Sequence, residues 1–231
     1  MFKKFDLRSA PKCAKPDTPG MKVFAMDGDT PTLSIMDDIG ENYFGEGVRA
    51  VDVSEFLESH PGPVNAKINS FGGSVYEGLA IFNALIEHGE VNGSVEGIAY
   101  SAASIVAMGC KTLRMKQASD IGIHRAWTLT QGNSKELQAT IEWLNTVDEH
   151  QVDIFAEKTG QERGQIESWL DGTSDGTTWT ASKAFELGFC DEVIERDSTK
   201  VETPVSKSRS HIAATAAVKM YQQRAKALSR K

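Results

Sequence analysis

Apolar and polar positions divide the chain into short segments with two different periods. Val64, Ala66 and Ile68 alternate with Asn65, Lys67 and Asn69, the two-residue period of a half-buried strand. Val75, Leu79, Phe82 and Ile86 then recur three to four apart, which predicts a helix over 75–87 with that face inward and a stop at Gly89. Residues 91–98 are an apolar, β-branched run, the mark of a buried strand, and residues 102–108 are small and then apolar, as a buried helix requires. Shorter apolar runs predict strands at 22–25, 32–36, around Leu113, at 121–124 and at 189–194. Helical spacing returns at 51–59, 165–170 and 181–187, the last closed by Gly188. The longest helical segment is 134–158, where Leu137, Ile141, Leu144, Val147 and Ile154 share a face and polar residues fill the rest. Residues 171–178, rich in Gly, Thr, Ser and Asp, read as a loop. Strands alternating with helices of this length predict βαβ units and an α/β fold.

Three stretches follow from composition. Residues 1–20 carry Pro11, Pro16 and Pro19 and read as an N-terminal arm. Residues 21–196 hold the α/β domain, with enough apolar content for one sizeable core. Residues 197–231 read as a polar linker followed by an Ala-rich, helix-favouring tail. The net charge of −7 is unevenly placed, because from Lys200 onward eight basic residues face a single acid, Glu202. An acidic body argues against a nucleic-acid-binding domain, and the basic tail reads as a solvated helix face.

Cysteines 13, 110 and 190 are odd in number and form no C-x-x-C pair. That indicates neither a disulfide framework nor a zinc site, and it fits a reducing, cytoplasmic compartment. No apolar run reaches the roughly 18 residues of a membrane span. No apolar segment of a secretory signal follows the first lysines. Neither a metal nor an organic cofactor is expected.

The candidate chemistry sits where strands end. Ser101 falls between the strand ending near Ile98 and the helix from Ala102. There it is either a helix N-cap or a hydroxyl presented to a cleft beside the following N–H groups. Gly72-Gly73 lies at another strand-to-helix junction. It is either a tight turn or a bare backbone offering N–H groups to a ligand, and it lacks the lysine and spacing of a phosphate loop. His124 ends a short apolar strand, on the face opposite Ile121 and Ile123. His60, His88, His150 and His211 lie in polar turns, on the long helix or in the tail. Asp171 and Asp175 lie in the Gly/Thr/Ser segment, as Asx-turn residues or as a carboxylate for a histidine.

These pieces resemble, in order and spacing over roughly residues 30–195, the Clp protease proteolytic subunit (ClpP) family. The matching stretches are Ile68-Asn69-Ser70-Phe71-Gly72-Gly73-Ser74-Val75, Gly97-Ile98-Ala99-Tyr100-Ser101-Ala102-Ala103, Ile123-His124, and the run from Thr180 to Asp191. The resemblance implies a spiral of βαβ units of the ClpP/crotonase kind with a protruding handle helix at 134–158. It also implies a serine endopeptidase working through an acyl-enzyme. By resemblance, Ser101 is the nucleophile, His124 the general base, and Gly73 and Ala102 the oxyanion-hole amides. The triad acid departs from the pattern. An ungapped match back from Trp179 lands on Gly176, and a shift of one residue lands on Asp175, the preferred choice, with Asp171 the alternative.

Residues 125–130 resemble the strand that pairs with substrate. A peptide would then lie as an added strand against Gly72, Gly73 and Ser74 on one side and Arg125, Ala126 and Trp127 on the other. The family implies a ring-shaped homo-oligomer, heptameric or stacked heptameric. Residues 39–46, 178–181 and the tail look more like the bacteriophage branch, whose enzymes act in head maturation on capsid or scaffold proteins. A cellular Clp subunit working with an ATP-driven unfoldase is the alternative. A non-catalytic ring-forming assembly protein and a crotonase-like acyl-CoA enzyme are the remaining readings.

Overall fold

The computed structural model describes residues 24–27, 30–41, 47–173 and 176–195. The arm at 1–20, the tail at 197–231 and Asp175 lie outside the described residues. The elements, in chain order, are strands β1 (Phe24–Asp27) and β2 (Thr30–Ile35), helix α1 (Ala50–Ser59), β3 (Val64–Ser70), α2 (Val75–His88), β4 (Val91–Tyr100), α3 (Ala102–Met108), β5 (Thr112–Lys116), β6 (Asp120–Ile123), α4 (Ser134–Thr159), α5 (Arg163–Asp171), β7 (Thr177–Thr180), α6 (Ala181–Leu187) and β8 (Glu192–Ile194).

The sheet runs β1-β2-β3-β4-β5-β8, parallel from β2 onward. This is the α/β architecture that the alternation of strands and helices predicts. Strand β4 forks. Its first half pairs with β5 (Asn92 to Val95), and its second half pairs with β6 (Ile98 to Tyr100). The fork begins where the β3–β4 register slips between Ile68 and Ser70. Across the slip, Ile98 N–H donates to Asn69 Oδ1 at 3.2 Å, so a side chain supplies the bond that the ladder loses. Gly97 makes room for it, since a Cβ there would sit 2.5 Å from the same oxygen. The bend carries the end of β4, and Ser101 after it, away from the main sheet.

Helix α3 is buried along its whole length and packs against α2. The contact is close because Gly78 has no side chain. A Cβ on it would meet Ala102 Cβ at 3.1 Å. The buried face of α2 is therefore Gly78, Ile81 and Leu85. Ile86, expected inward, is 56% exposed, because a glycine at the contact carries no hydropathy signal and the large apolar residues misplace the face.

Helix α4 opens with a capping box between Asn133 and Glu136 and ends at Gly160 in the left-handed conformation. Its 26 residues span roughly 39 Å. The C-terminal half buries Val147, Val152 and Phe155, whereas Leu137 and Ile141 in the first half are exposed.

The segment expected as a loop at 171–178 is divided differently. Asp171 closes α5, and Thr177–Thr180 form β7, antiparallel to β6. Trp179 in β7 packs against Trp169 and Phe189, with ring centroids 5.0 Å away in each case, and this apolar anchor overrides the polar composition around it. Residues 125–130, expected as a strand, carry no strand pairing. No helix of the described residues is long and apolar enough to cross a membrane.

Candidate active site

Ser101 stands at φ 54°, ψ −130°, and among the described residues it is the one non-glycine residue at positive φ. Such a conformation costs on the order of 1–3 kcal/mol and persists only where the surroundings impose it. Here they do. Ser101 N–H donates to Gly122 O at 3.0 Å, and Ser101 O accepts from Ser104 N–H at 2.9 Å and Ser104 Oγ at 2.6 Å. The Ser101 side chain makes no capping bond, so the N-cap reading does not hold. Ser104 is buried with its hydroxyl committed to that carbonyl.

The Gly72-Gly73 turn lies directly against this serine. A Cβ on Gly72 would sit 2.6 Å from Ser101 Cβ, and one on Gly73 would sit 2.3 Å from Ile39 O. Their φ values, 101° and 142°, are in the range that favours glycine. Ile39 N–H bonds to Gly72 O and Ser74 N–H bonds to Ile39 O, a parallel bridge centred on Gly73. In such a bridge the central residue's own N–H points to the opposite side. The Gly73 amide therefore faces away from Ile39. Ala102, as the first residue of α3, has an N–H with no intrahelical acceptor.

His124 follows β6 directly and is half-buried. Its Nδ1 lies 2.7 Å from Arg125 O, which requires the proton on Nδ1 and leaves Nε2 as the basic nitrogen. Ser101, Ala102, His124, Gly73 and Ser74 line one cleft of about 230 Å³, with Val75, Tyr76, Ile105, Ala126, Trp127, Trp143 and Gln151. The hydroxyl and the imidazole thus share one side of the sheet. No hydrogen bond joins Ser101 Oγ to His124 among the described residues.

The acid positions separate. Gly176 packs on the histidine so tightly that a Cβ there would lie 2.5 Å from His124 Cβ, so no carboxylate side chain fits at that position. Asp175, beside it, is outside the described residues. Asp171 accepts from Arg125 Nε at 2.5 Å, and this guanidinium holds its carboxyl below the usual range. The carboxylate of Asp171 is thus directed at Arg125.

Arg125, expected at the substrate, instead spends its side chain on two carboxylates. Its Nη1 lies 3.1 Å from Asp148 Oδ2, and the two ion pairs raise the guanidinium pKa further. It does not line the cleft. Arg125 N–H donates to Leu170 O, and Ala126 N–H donates to Asp148 Oδ1 at 2.8 Å. These two amides are therefore not open to a pairing peptide. Gly72 is buried beneath Ser101 and does not line the cleft either.

Sequence reasoning missed Asp148 and Gln151, which are 6% and 4% exposed. The available signal was two polar residues three apart on the half of the long helix whose apolar neighbours are Val147 and Val152. It also missed the pair Tyr76 and Trp143, joined by a 2.7 Å bond from Trp143 Nε1–H to Tyr76 Oη. The two described cysteines offer no rival nucleophile. Burial pushes the Cys110 thiol up to about 12 and that of Cys190 up to about 11.

A family model described as Clp protease matches residues 55–197. The chain belongs to the Clp protease family. It is similar to the ATP-dependent Clp protease proteolytic subunit of Bacteroides fragilis, 31% identical over 135 residues that cover 57% of this chain and 63% of that protein. It is also similar to the subunit of the same description from Ligilactobacillus salivarius, 34% identical over 131 residues covering 55% of this chain and 65% of that one. The chain thus spans less than two thirds of the length of these relatives. A solved structure of a ClpP1 point mutant from Listeria monocytogenes superimposes with a TM-score of 0.59 at 22% identity, covering 72% of this chain and 92% of that one. This likeness shows the Clp protease fold.

Proposed function

We propose that the chain is a serine endopeptidase of the Clp type. The observation that carries this reading is the strained Ser101, whose uncapped hydroxyl shares a cleft with His124 and with the outward-facing amide of Gly73. Ser101 Oγ attacks the scissile carbonyl carbon while His124 Nε2 takes its proton. The Gly73 and Ala102 amides stabilise the resulting oxyanion. The C–N bond breaks as His124 returns the proton to the leaving amine, which leaves an acyl-enzyme. Water, deprotonated by the same nitrogen, releases the second product. Asp175 is the carboxylate that steadies the imidazolium, and closure of the Ser101–His124 bond accompanies substrate binding or assembly. A fluorophosphonate probe tests the assignment. Covalent labelling should map to Ser101 and vanish in Ser101→Ala. Labelling elsewhere, or cleavage surviving in the alanine variant, would refute it.

The working form is a ring of this chain, with the apolar side chains of Leu137 and Ile141 on the exposed half of α4 at a contact between copies. Ile141→Glu should lower the mass in solution. A wild-type chain that stays monomeric at micromolar concentration would count against the ring.

The substrates are head proteins, capsid or scaffold, on the strength of the phage-like segments at 39–46 and 178–181. The similarity to ATP-dependent Clp subunits supports a second reading, a cellular subunit fed by an unfoldase. Incubation with capsid and scaffold proteins from the same source, in parallel with an ATP-driven unfoldase and an unfolded substrate, separates the two.

A further inference from the structure

The cleft beside Ser101 has a mostly apolar wall. Val75, Tyr76, Ile105, Trp127 and Trp143 supply it, and the Trp143 to Tyr76 bond holds two of these rings in place. Apart from Ser74, Ser101 and His124, one further polar side chain lines the cleft. Gln151 lines the cleft although it is 4% exposed. Its amide is oriented by chemistry. Its neighbour, Asp148, already accepts from Arg125 Nη1 and Ala126 N–H, and as a carboxylate it offers only acceptors. Gln151 must therefore turn an N–H toward it, and Nε2 donates to Asp148 Oδ1 at 3.2 Å. The amide oxygen is left at the opposite side of the group. Among the described residues no donor is bonded to it. The cleft that Gln151 lines is the space in which that oxygen, Oε1, can meet a ligand.

We infer that Gln151, held by Asp148, determines specificity for the residue whose carbonyl is attacked, and that the favoured residue is glutamine. This rests on the serine endopeptidase reading. The matching side chain has an apolar stem to lie along Ile105 and the aromatic pair, and a tip that donates to Oε1. Serine is too short for a cleft of about 230 Å³. A lysine would have to give up the hydration of its ammonium against a wall of aromatic and aliphatic side chains, at a high desolvation cost. A carboxamide supplies the N–H without a charge. A methionine of the same length would leave Oε1 buried and unpaired once the cleft is filled, and a site with such a polar group rejects an isostere that cannot pair with it.

The test compares two peptides that differ only in Gln or Met before the scissile bond, cleaved by the full chain in its assembled form. Wild type should cleave the glutamine peptide about fivefold to tenfold faster in kcat/KM, and Gln151→Met should reverse the preference. The ratio is read within each protein, so a general loss of activity cancels. Equal rates in wild type, or a preference unaltered by Gln151→Met, would overturn the inference. If that variant does not fold, inhibition of wild type by product-like peptides ending in Gln or Met decides. Tighter binding of the glutamine product by a similar factor supports the inference, and equal binding overturns it. Fluorophosphonate titration of Ser101 in the same samples keeps the two readings apart. A labelled enzyme without glutamine preference loses only the specificity, whereas an unlabelled chain that cuts neither peptide loses the protease itself.

Discussion

Two strand-to-helix turns meet at the centre of this molecule, and they solve the same steric problem in opposite ways. After β3 the backbone enters the positive-φ region at Gly72 and Gly73, residues with no side chain to strain. After β4 it enters that region at Ser101 and keeps a side chain despite the cost. The two depend on each other, because the space for the serine's Cβ exists only where Gly72 has none. Strain is relieved at the turn that offers backbone amides and retained at the turn that offers an oxygen.

The largest effect that could break this contrast is on activity. Ser101→Ala should lower peptide cleavage by at least about 10⁴-fold, as removal of a triad nucleophile does elsewhere, while the far-ultraviolet circular dichroism stays that of the wild type. A variant that cleaves at a tenth of the wild-type rate would reduce Ser101 to an odd turn. The glycine turn should fail in the other currency. Gly72→Ala drives a methyl into Ser101 Cβ and Ala102 N, and Gly73→Ala drives one into Ile39 O, at backbone positions that cannot retreat cheaply. Each should cost about 2–4 kcal/mol in denaturant unfolding. If either variant unfolds like wild type, the tight packing between the two turns is not real.

A smaller effect has the reverse sign. Ser101→Gly should abolish cleavage and also raise stability, by about 1 kcal/mol, since relief of strain outweighs the added freedom of the unfolded chain. That would appear as a rise in Tm of roughly 2–4 °C. A fall in Tm would mean that the serine is comfortable where it stands, and the contrast with Gly72 and Gly73 would lose its basis.

Much of this arrangement was legible in the sequence, for reasons that also explain what was not. The junction at Ser101 showed because a buried strand and a buried helix differ in residue type, β-branched against small. Helix α4 showed because its apolar repeat is long. Three things left no periodic trace. Gly78 sets the packing face of α2 by having no side chain, so the larger residues pointed to Ile86 instead. Strand β7 is held by its pairing to β6 and by Trp179, both long-range, while its local composition is that of a turn. Asp148 and Gln151 are buried together because they satisfy Arg125, Ala126 and each other, and pairwise satisfaction across the fold cannot be read from hydropathy along it.

The smallest effect concerns the acid, and it bears on how His124 reaches the serine turn at all. Arg125 holds the histidine through its carbonyl and is itself held by Asp148 and Asp171. The Asp171 carboxyl is depressed below its ordinary 3.8, first by its bond from Arg125. A depressed carboxyl contributes stability that is complete above the ordinary value and fades as pH falls through the lower, folded-state one. Asp171→Asn should therefore be less stable than wild type at neutral pH, by a small margin since the pair is exposed, and the two melting curves should converge as pH falls below the ordinary 3.8 and through the depressed folded-state value. Its cleavage rate should fall far less than that of Asp175→Asn, because Asp148 still anchors Arg125. If Asp171→Asn were the more damaged of the two, the carboxylate serving His124 would be the one that bonds Arg125, and the imidazole would be steadied from α5 rather than from the segment that leads into β7.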